Sequence, residues 1–224
     1  MVKENIKANT GKWHTTRESE VFKSIMLQEE NKELLKSIVE QVMKDKITDM
    51  TVYDGDLATE YIEYGLNDIV LNTNLGIIDV QVISNDSQRD RGISMAGFSK
   101  VIDNPESFGI DPDLIYETQY SIVILIYDMK DDNGNISDNI CEDKAIMCYM
   151  LKDEDGIPYI DNFRIHVANM RYFQNLWYEN NETEALKNKN LVMLDLPKEE
   201  LIKFASLDTN VNDFLEQMNS YNEL

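Results

Sequence analysis

Cysteine and histidine are nearly missing from this chain, with two of each in 224 residues. Cys141 and Cys148 form neither a disulfide framework nor a CxxC metal or redox motif, and both are read as free thiols. Two isolated histidines make no zinc motif: His14 is expected to be solvated and His166 to be a satisfied strand residue. Basic residues are scarce as well, 21 Lys and Arg against 42 Asp and Glu, for a formal charge of -21. That excess repels phosphate backbones and suits a basic partner better. The longest apolar run, Ile122 to Tyr127, is closed by Asp128 and falls far short of the ~20 residues of a membrane helix. The opening MVKENIKANTGKWHTT carries no apolar stretch that would serve as a secretory signal, so the expected compartment is the cytoplasm. No glycine-rich phosphate loop, nucleophile triad or basic stripe interleaved with aromatics is readable. What remains is 42% hydrophobic and 9% aromatic content, well above that of a chain too polar to collapse. A single fold of this length buries roughly 70% of its unfolded surface.

Between Arg17 and Lys44, Val21, Phe22, Ile25 and Met26, then Leu34, Leu35, Ile38, Val39, Val42 and Met43, recur at helical spacing. The polar segment Gln28 to Glu33 divides this helix in two, with Asn31 as the expected cap of the second piece. Three strand-like segments follow, Ile47 to Tyr53, Gly65 to Thr73 and Ile77 to Ile83. The last two are joined by turn residues Asn72 to Gly76 and are predicted to form a hairpin. Arg89 to Ile102 reads as an amphipathic helix ended by Asn104-Pro105. Tyr120 to Tyr127 reads as a strand covered on both faces. Ala145 to Leu151, Arg164 to Met170 and Leu191 to Leu196 are expected as further strands, and Pro197 to Ser206 and Val211 to Tyr221 as helices. The eleven methionines are read as core filler.

Acidic and amide groups interrupt two otherwise apolar strands, in Gly65-Leu-Asn-Asp-Ile-Val-Leu and Gly76-Ile-Ile-Asp-Val-Gln-Val-Ile. Alternation puts Asp79 and Gln81 on one face of their strand and Ile78, Val80 and Val82 on the other. With Asn74 and Leu75 at the hairpin tip, Val70 falls opposite Asp79 and Asp68 opposite Gln81. Directly paired residues have Cβ atoms ~5 Å apart, close enough for two carboxylates to hold one small hard cation. A slip of one residue would send Asp68 to the other face. The plainer reading makes both acids solvent-facing residues of a half-exposed sheet. Asp54, Asp56, Glu60 and Glu63 are read as a solvated face, although Glu60 shares the phase of Asp68.

Ser19-Glu-Val-Phe-Lys-Ser-Ile followed by Glu30-Asn-Lys-Glu-Leu-Leu-Lys-Ser-Ile resembles the amino-terminal signature of the PD-(D/E)XK nuclease family transposases, the Rpn-type recombination-promoting nucleases. Gly65-Leu-Asn-Asp68 resembles that family's strand ending in a metal-binding Asp, and Asp79-Val-Gln81 its acidic-x-Gln motif. Arg91 stands where the family has an Arg opening the next helix, and Leu194-Asp-Leu-Pro-Lys198 resembles its late Glu-Leu-Pro-Lys segment. The likeness runs from about Ser19 to Phe204. It implies an α/β, restriction-endonuclease-like αβββαβ core with a mixed sheet flanked by helices. It also implies Mg²⁺-dependent cleavage of DNA phosphodiesters, with Mn²⁺ as a substitute ion. In that scheme Asp68 and Asp79 are metal ligands, Gln81 orients the attacking water, and Arg91 and Arg89 contact phosphate at a helix start. The chain departs from the pattern in three places. Asp79 replaces the usual Glu, Ser19 between Glu18 and Glu20 replaces an Asp, and Ser94 and Met95 stand near the position of a Tyr.

The expected organisation is an amino-terminal arm over residues 1–16, a nuclease-like core over 17–128, and a carboxy-terminal α/β extension over 129–224 packed on the core as one domain. The alternative to a DNA endonuclease is a catalytically degenerate copy of the same fold, the acidic protein-binding module of a phage or mobile element. Its partner would be a basic protein. Neither reading needs a membrane, and a homo-oligomer is compatible with both.

Overall fold

The structure is a computed structural model that describes residues 13–53, 69–85, 117–128, 144–158 and 161–223, together with single positions 106, 111 and 113. The expected helix Arg89 to Ile102 lies outside these residues, as do Asp68, the acidic run 54–63 and Cys141.

The amino-terminal helical stretch divides where its apolar stripe breaks. Helix α1 (Ser19–Met26) buries Val21, Phe22, Ile25 and Met26, and α2 (Lys32–Met43) buries Leu35, Ile38, Val39 and Val42. A 3₁₀ turn, Glu29–Asn31, joins them. Asn31 occupies the N-cap position of α2, but its side chain does not cap it. The amide Nδ2 instead donates to the Ile25 carbonyl at 2.8 Å and to Gln217 Oε1 at 2.7 Å. The group is buried, and these partners satisfy it while tying the α1 terminus to the carboxy-terminal helix.

Strands β1 (Met50–Tyr53), β2 (Ile69–Thr73) and β3 (Gly76–Asn85) form an antiparallel meander. Residues 47–49, expected to extend β1, are held by side chains instead. Glu40 Oε1 accepts the Ile47 N–H at 2.8 Å, and Asn74 Oδ1 accepts those of Thr48 and Asp49. Burial pushes the Glu40 carboxyl up, but the hydrogen bonds from Ile47 and from Lys46 outweigh it and leave the group below the usual range. The β2–β3 reversal turns on Asn74 and Leu75, with Thr73 opposite Gly76 and Val70 opposite Asp79. Strand β4 (Tyr120–Asp128) runs parallel to β3, and β6 (Phe163–Asn169) runs parallel to β4. The short β5 (Ile146–Tyr149) pairs antiparallel with β6, giving one mixed sheet in the order β1-β2-β3-β4-β6-β5. Thus β5 and β6, from the segment read as an extension, complete the same sheet as β1–β4.

All but the last residue of β4 is buried, as its unbroken apolar sequence requires. Its Val123, Leu125 and Tyr127 face the helical side of the sheet. Tyr120, Ile122, Ile124 and Ile126 face the other side, with Ile77, Ile83 and Val167. Every described helix belongs to the first of these two cores.

After β6 the chain is helical: α3 (Met170–Tyr178), α4 (Glu182–Lys187), α5 (Lys189–Val192), a 3₁₀ turn (Met193–Asp195), α6 (Lys198–Ala205) and α7 (Thr209–Glu223). The strand expected over Leu191 to Leu196 is therefore helix and 3₁₀ turn. Leu191, Val192, Met193, Leu194 and Leu196 are all buried. An element enclosed on every side reads as a continuous apolar run whichever backbone it has. Helix α3 begins at Asn169, whose Oδ1 accepts the Tyr172 N–H at 3.2 Å. The start of α7 is capped by Asp208, whose Oδ1 accepts from Asn210 and Val211 while Oδ2 accepts from Lys189 Nζ at 2.6 Å.

His14 is half-buried rather than solvated. Its Nδ1 lies 3.0 Å from both carboxylate oxygens of Glu18. His166 sits buried on the helical side of β6, opposite Val123. Burial pushes its imidazole below the usual histidine value, and the nearby Arg164 guanidinium pushes in the same direction. The unfolded chain therefore binds this proton more readily than the folded one. Stability from neutral His166 is fully present above about pH 6.5 and is lost as pH falls through the lowered folded value. The urea midpoint is expected to drop between pH 7.5 and pH 5.5, and His166→Gln should remove most of that drop. Equal drops in both proteins would assign the effect to other groups.

Candidate functional site

The centre of the sheet is apolar because β3 and β4 are hydrogen-bonded on both edges and covered on both faces. Asp79 and Gln81 break this pattern on the face turned away from the described helices. Asp79 is paired with Val70 on one side and Ile122 on the other, and Gln81 with Ile124. Ile77 and Ile83 flank them along the strand, on the same face. Only 1% of Asp79 and 2% of Gln81 is exposed, so the solvent-facing reading does not hold for Asp79.

The period of β3 places the two side chains on one face, two residues apart. There Gln81 Nε2 donates to Asp79 Oδ2 at 2.6 Å. A carboxylate in such surroundings loses hydration worth several kcal/mol, by order of magnitude, and persists only with compensating donors or a cation. The amide supplies one such donor.

Carboxylate and amide oxygens are hard donors, the type that Mg²⁺ and Mn²⁺ take. Among the described residues no group of three or more His, Cys, Asp or Glu gathers to hold a metal, so these contribute one carboxylate and one amide. The second predicted carboxylate, Asp68, and the predicted phosphate contacts Arg89 and Arg91 lie outside the described residues.

A second polar group, which sequence reasoning did not single out, lies on the helical side at the carboxyl end of β4. Asp195, 3% exposed, receives a forked hydrogen bond from Arg17: Nη2 donates to Oδ2 at 2.9 Å and Nε to Oδ1. The guanidinium also lies over the Tyr127 ring, 5.8 Å from its centroid. The Thr16 hydroxyl donates to the Leu194 carbonyl, which leaves its oxygen to accept from the Tyr127 hydroxyl at 3.0 Å. Burial pushes the Tyr127 phenol far above its ordinary value, so it remains a neutral donor. Burial likewise raises the Asp195 carboxyl, with Arg17 pulling against it. The available sequence signal was the Leu194-Asp-Leu-Pro-Lys198 segment, whose acid needed a basic partner once buried.

Among the described residues, no helix is long and apolar enough to cross a membrane. No family model, curated protein or solved structure matches the chain.

Proposed function

We propose that the chain is a Mg²⁺-dependent DNA endonuclease whose centre is built on β3. The observation that carries this reading is the placement of Asp79 beside Gln81, a carboxylate and an amide on one face of a central strand whose described strand partners there, Val70, Ile122 and Ile124, are apolar. A sheet interior admits such groups at a cost in stability, and chemistry is a reason to keep them. Asp79 and Asp68 would hold the ion. When bound, Mg²⁺ or Mn²⁺ supplies polarisation of a phosphate oxygen and a more acidic water. Gln81 would orient that water by hydrogen bonding while bringing no positive charge of its own. Arg91 and Arg89 would take the phosphate.

The test is Mn²⁺ and Mg²⁺ titration beside plasmid nicking, on the unmutated chain and on Asp68→Asn and Asp79→Asn. Saturable metal binding and nicking are expected, both lost in each variant. Cleavage retained in both variants refutes the site. Neither binding nor cleavage in the unmutated protein turns the reading to the second one, a degenerate fold that engages a basic protein, which the charge of -21 favours.

A further inference from the structure

Three contacts join the segment 13–17 to the turn 194–198. Trp13 packs its ring under Lys198, with Nζ 4.8 Å from the centroid. Thr16 donates to the Leu194 carbonyl. Arg17 forks onto Asp195. The Leu194 carbonyl, the Asp195 carboxylate and the Lys198 ammonium of the turn thus each meet a residue of the amino-terminal segment. Both sides are fixed to further elements. Asn222, near the end of α7, accepts the His14 N–H at 2.6 Å and donates to the His14 carbonyl at 3.2 Å, pairing with that backbone as a strand would. Gln174 of α3 donates to the Asp195 carbonyl at 3.0 Å, and Thr16, fully buried, reaches Tyr127 of β4.

We infer that the turn 194–198 is a receptor for the chain's own amino-terminal strap, residues 13–17, and that the two form a clasp which opens and closes as one unit over the carboxyl end of β4. Closed, the clasp seals the Tyr127 hydroxyl and locks α3, α6 and α7 to the sheet. On the strap side the hold is chiefly polar, because of residues 13–17 only Thr16 is fully buried, and such a contact opens below the global unfolding free energy, loosening the turn it braces. Arg17 is a positioning residue here. Its planar fork fits the Asp195 carboxylate in a way that the point charge of lysine does not.

Hydrogen exchange on the 224-residue chain tests this. In Arg17→Ala, amides of the strap and of residues 194–205 should exchange faster together, by about tenfold for a half-exposed charge on a buried partner. Those of the β2–β3 hairpin should keep their rates. Arg17→Lys should recover only part of the protection. In a Trp177→Phe background, Trp13 emission should shift to the red in Arg17→Ala as the ring leaves Lys198. Asn222→Ala, which cuts the strap at His14 and leaves Asp195 intact, should also speed exchange at 194–205, and it keeps the test open if Arg17→Ala does not fold. Faster exchange confined to the strap in either variant, or unchanged in both, would overturn the clasp.

Discussion

Alanine at Gly76 is expected to be among the most damaging single substitutions in the molecule. Gly76 opens β3 with φ at +102°, a backbone conformation that residues with a Cβ rarely adopt. A Cβ built there would lie 2.1 Å from the Gln119 carbonyl oxygen, which is main chain and cannot swing aside. That carbonyl also accepts the Ile77 N–H at 2.9 Å, so withdrawing it would break the first contact between β3 and the segment entering β4. Backbone strain of 1–3 kcal/mol and a comparable overpacking cost give a loss of about 4 kcal/mol. For a domain of this size that lowers the melting temperature by about 10 °C. Thermal unfolding of Gly76→Ala checks this, and an unchanged midpoint would mean that the hairpin does not approach Gln119 so closely.

The second large effect separates cost from use at β3. Gln81→Leu removes the amide that donates to a buried carboxylate and should destabilise the fold by about 1–3 kcal/mol. Replacing both members, Asp79→Leu with Gln81→Leu, leaves an apolar pair among Val70, Ile122 and Ile124. This should recover part of that loss, since a well-packed apolar pair no longer leaves a buried carboxylate without its amide donor. Under the proposed function the same double variant neither binds metal nor nicks DNA. Relative to Gln81→Leu, stability would be gained with no return of activity, as expected of a site kept for its chemistry. Urea unfolding of the two variants measures the first part. A double variant less stable than Gln81→Leu alone would mean that the polar pair is structural.

These groups show how much of the fold was legible. Alternation in Gly76-Ile-Ile-Asp-Val-Gln and the turn residues Asn74 and Leu75 sufficed for the β2–β3 register, because a strand has only two faces and the apolar set chooses one. The unbroken β4 run was read correctly because Asp128 and the polar residues before Tyr120 bound it. The same signal misled at Leu191 to Leu196, where total burial erased the helical period. Helix α3 was missed because Arg164 to Met170 was carried one residue into it as strand, although Asn169 caps it and Met170, Phe173 and Leu176 follow at helical spacing. Helix α4 buries only Ala185, too little to mark a face. At the site, the shared face of Asp79 and Gln81 followed from period, whereas their direct hydrogen bond depends on rotamers that spacing does not specify. The Arg17–Asp195 pair spans 178 positions of chain, a separation at which no local pattern operates.

The strand order also constrains how the molecule is assembled. Strand β5 precedes β6 in the chain yet lies beyond it in the sheet, so among the described strands β4 has nothing to pair with on its outer edge until residues 163–169 have been made. The β1–β2–β3 meander needs only near neighbours and is ready to form while synthesis continues. The parallel seam through β4 must wait for distant sequence. A nascent chain halted before Phe163 would therefore expose β4, buried in all but its last residue, along an edge of unpaired amides, which is where aggregation would be expected to begin.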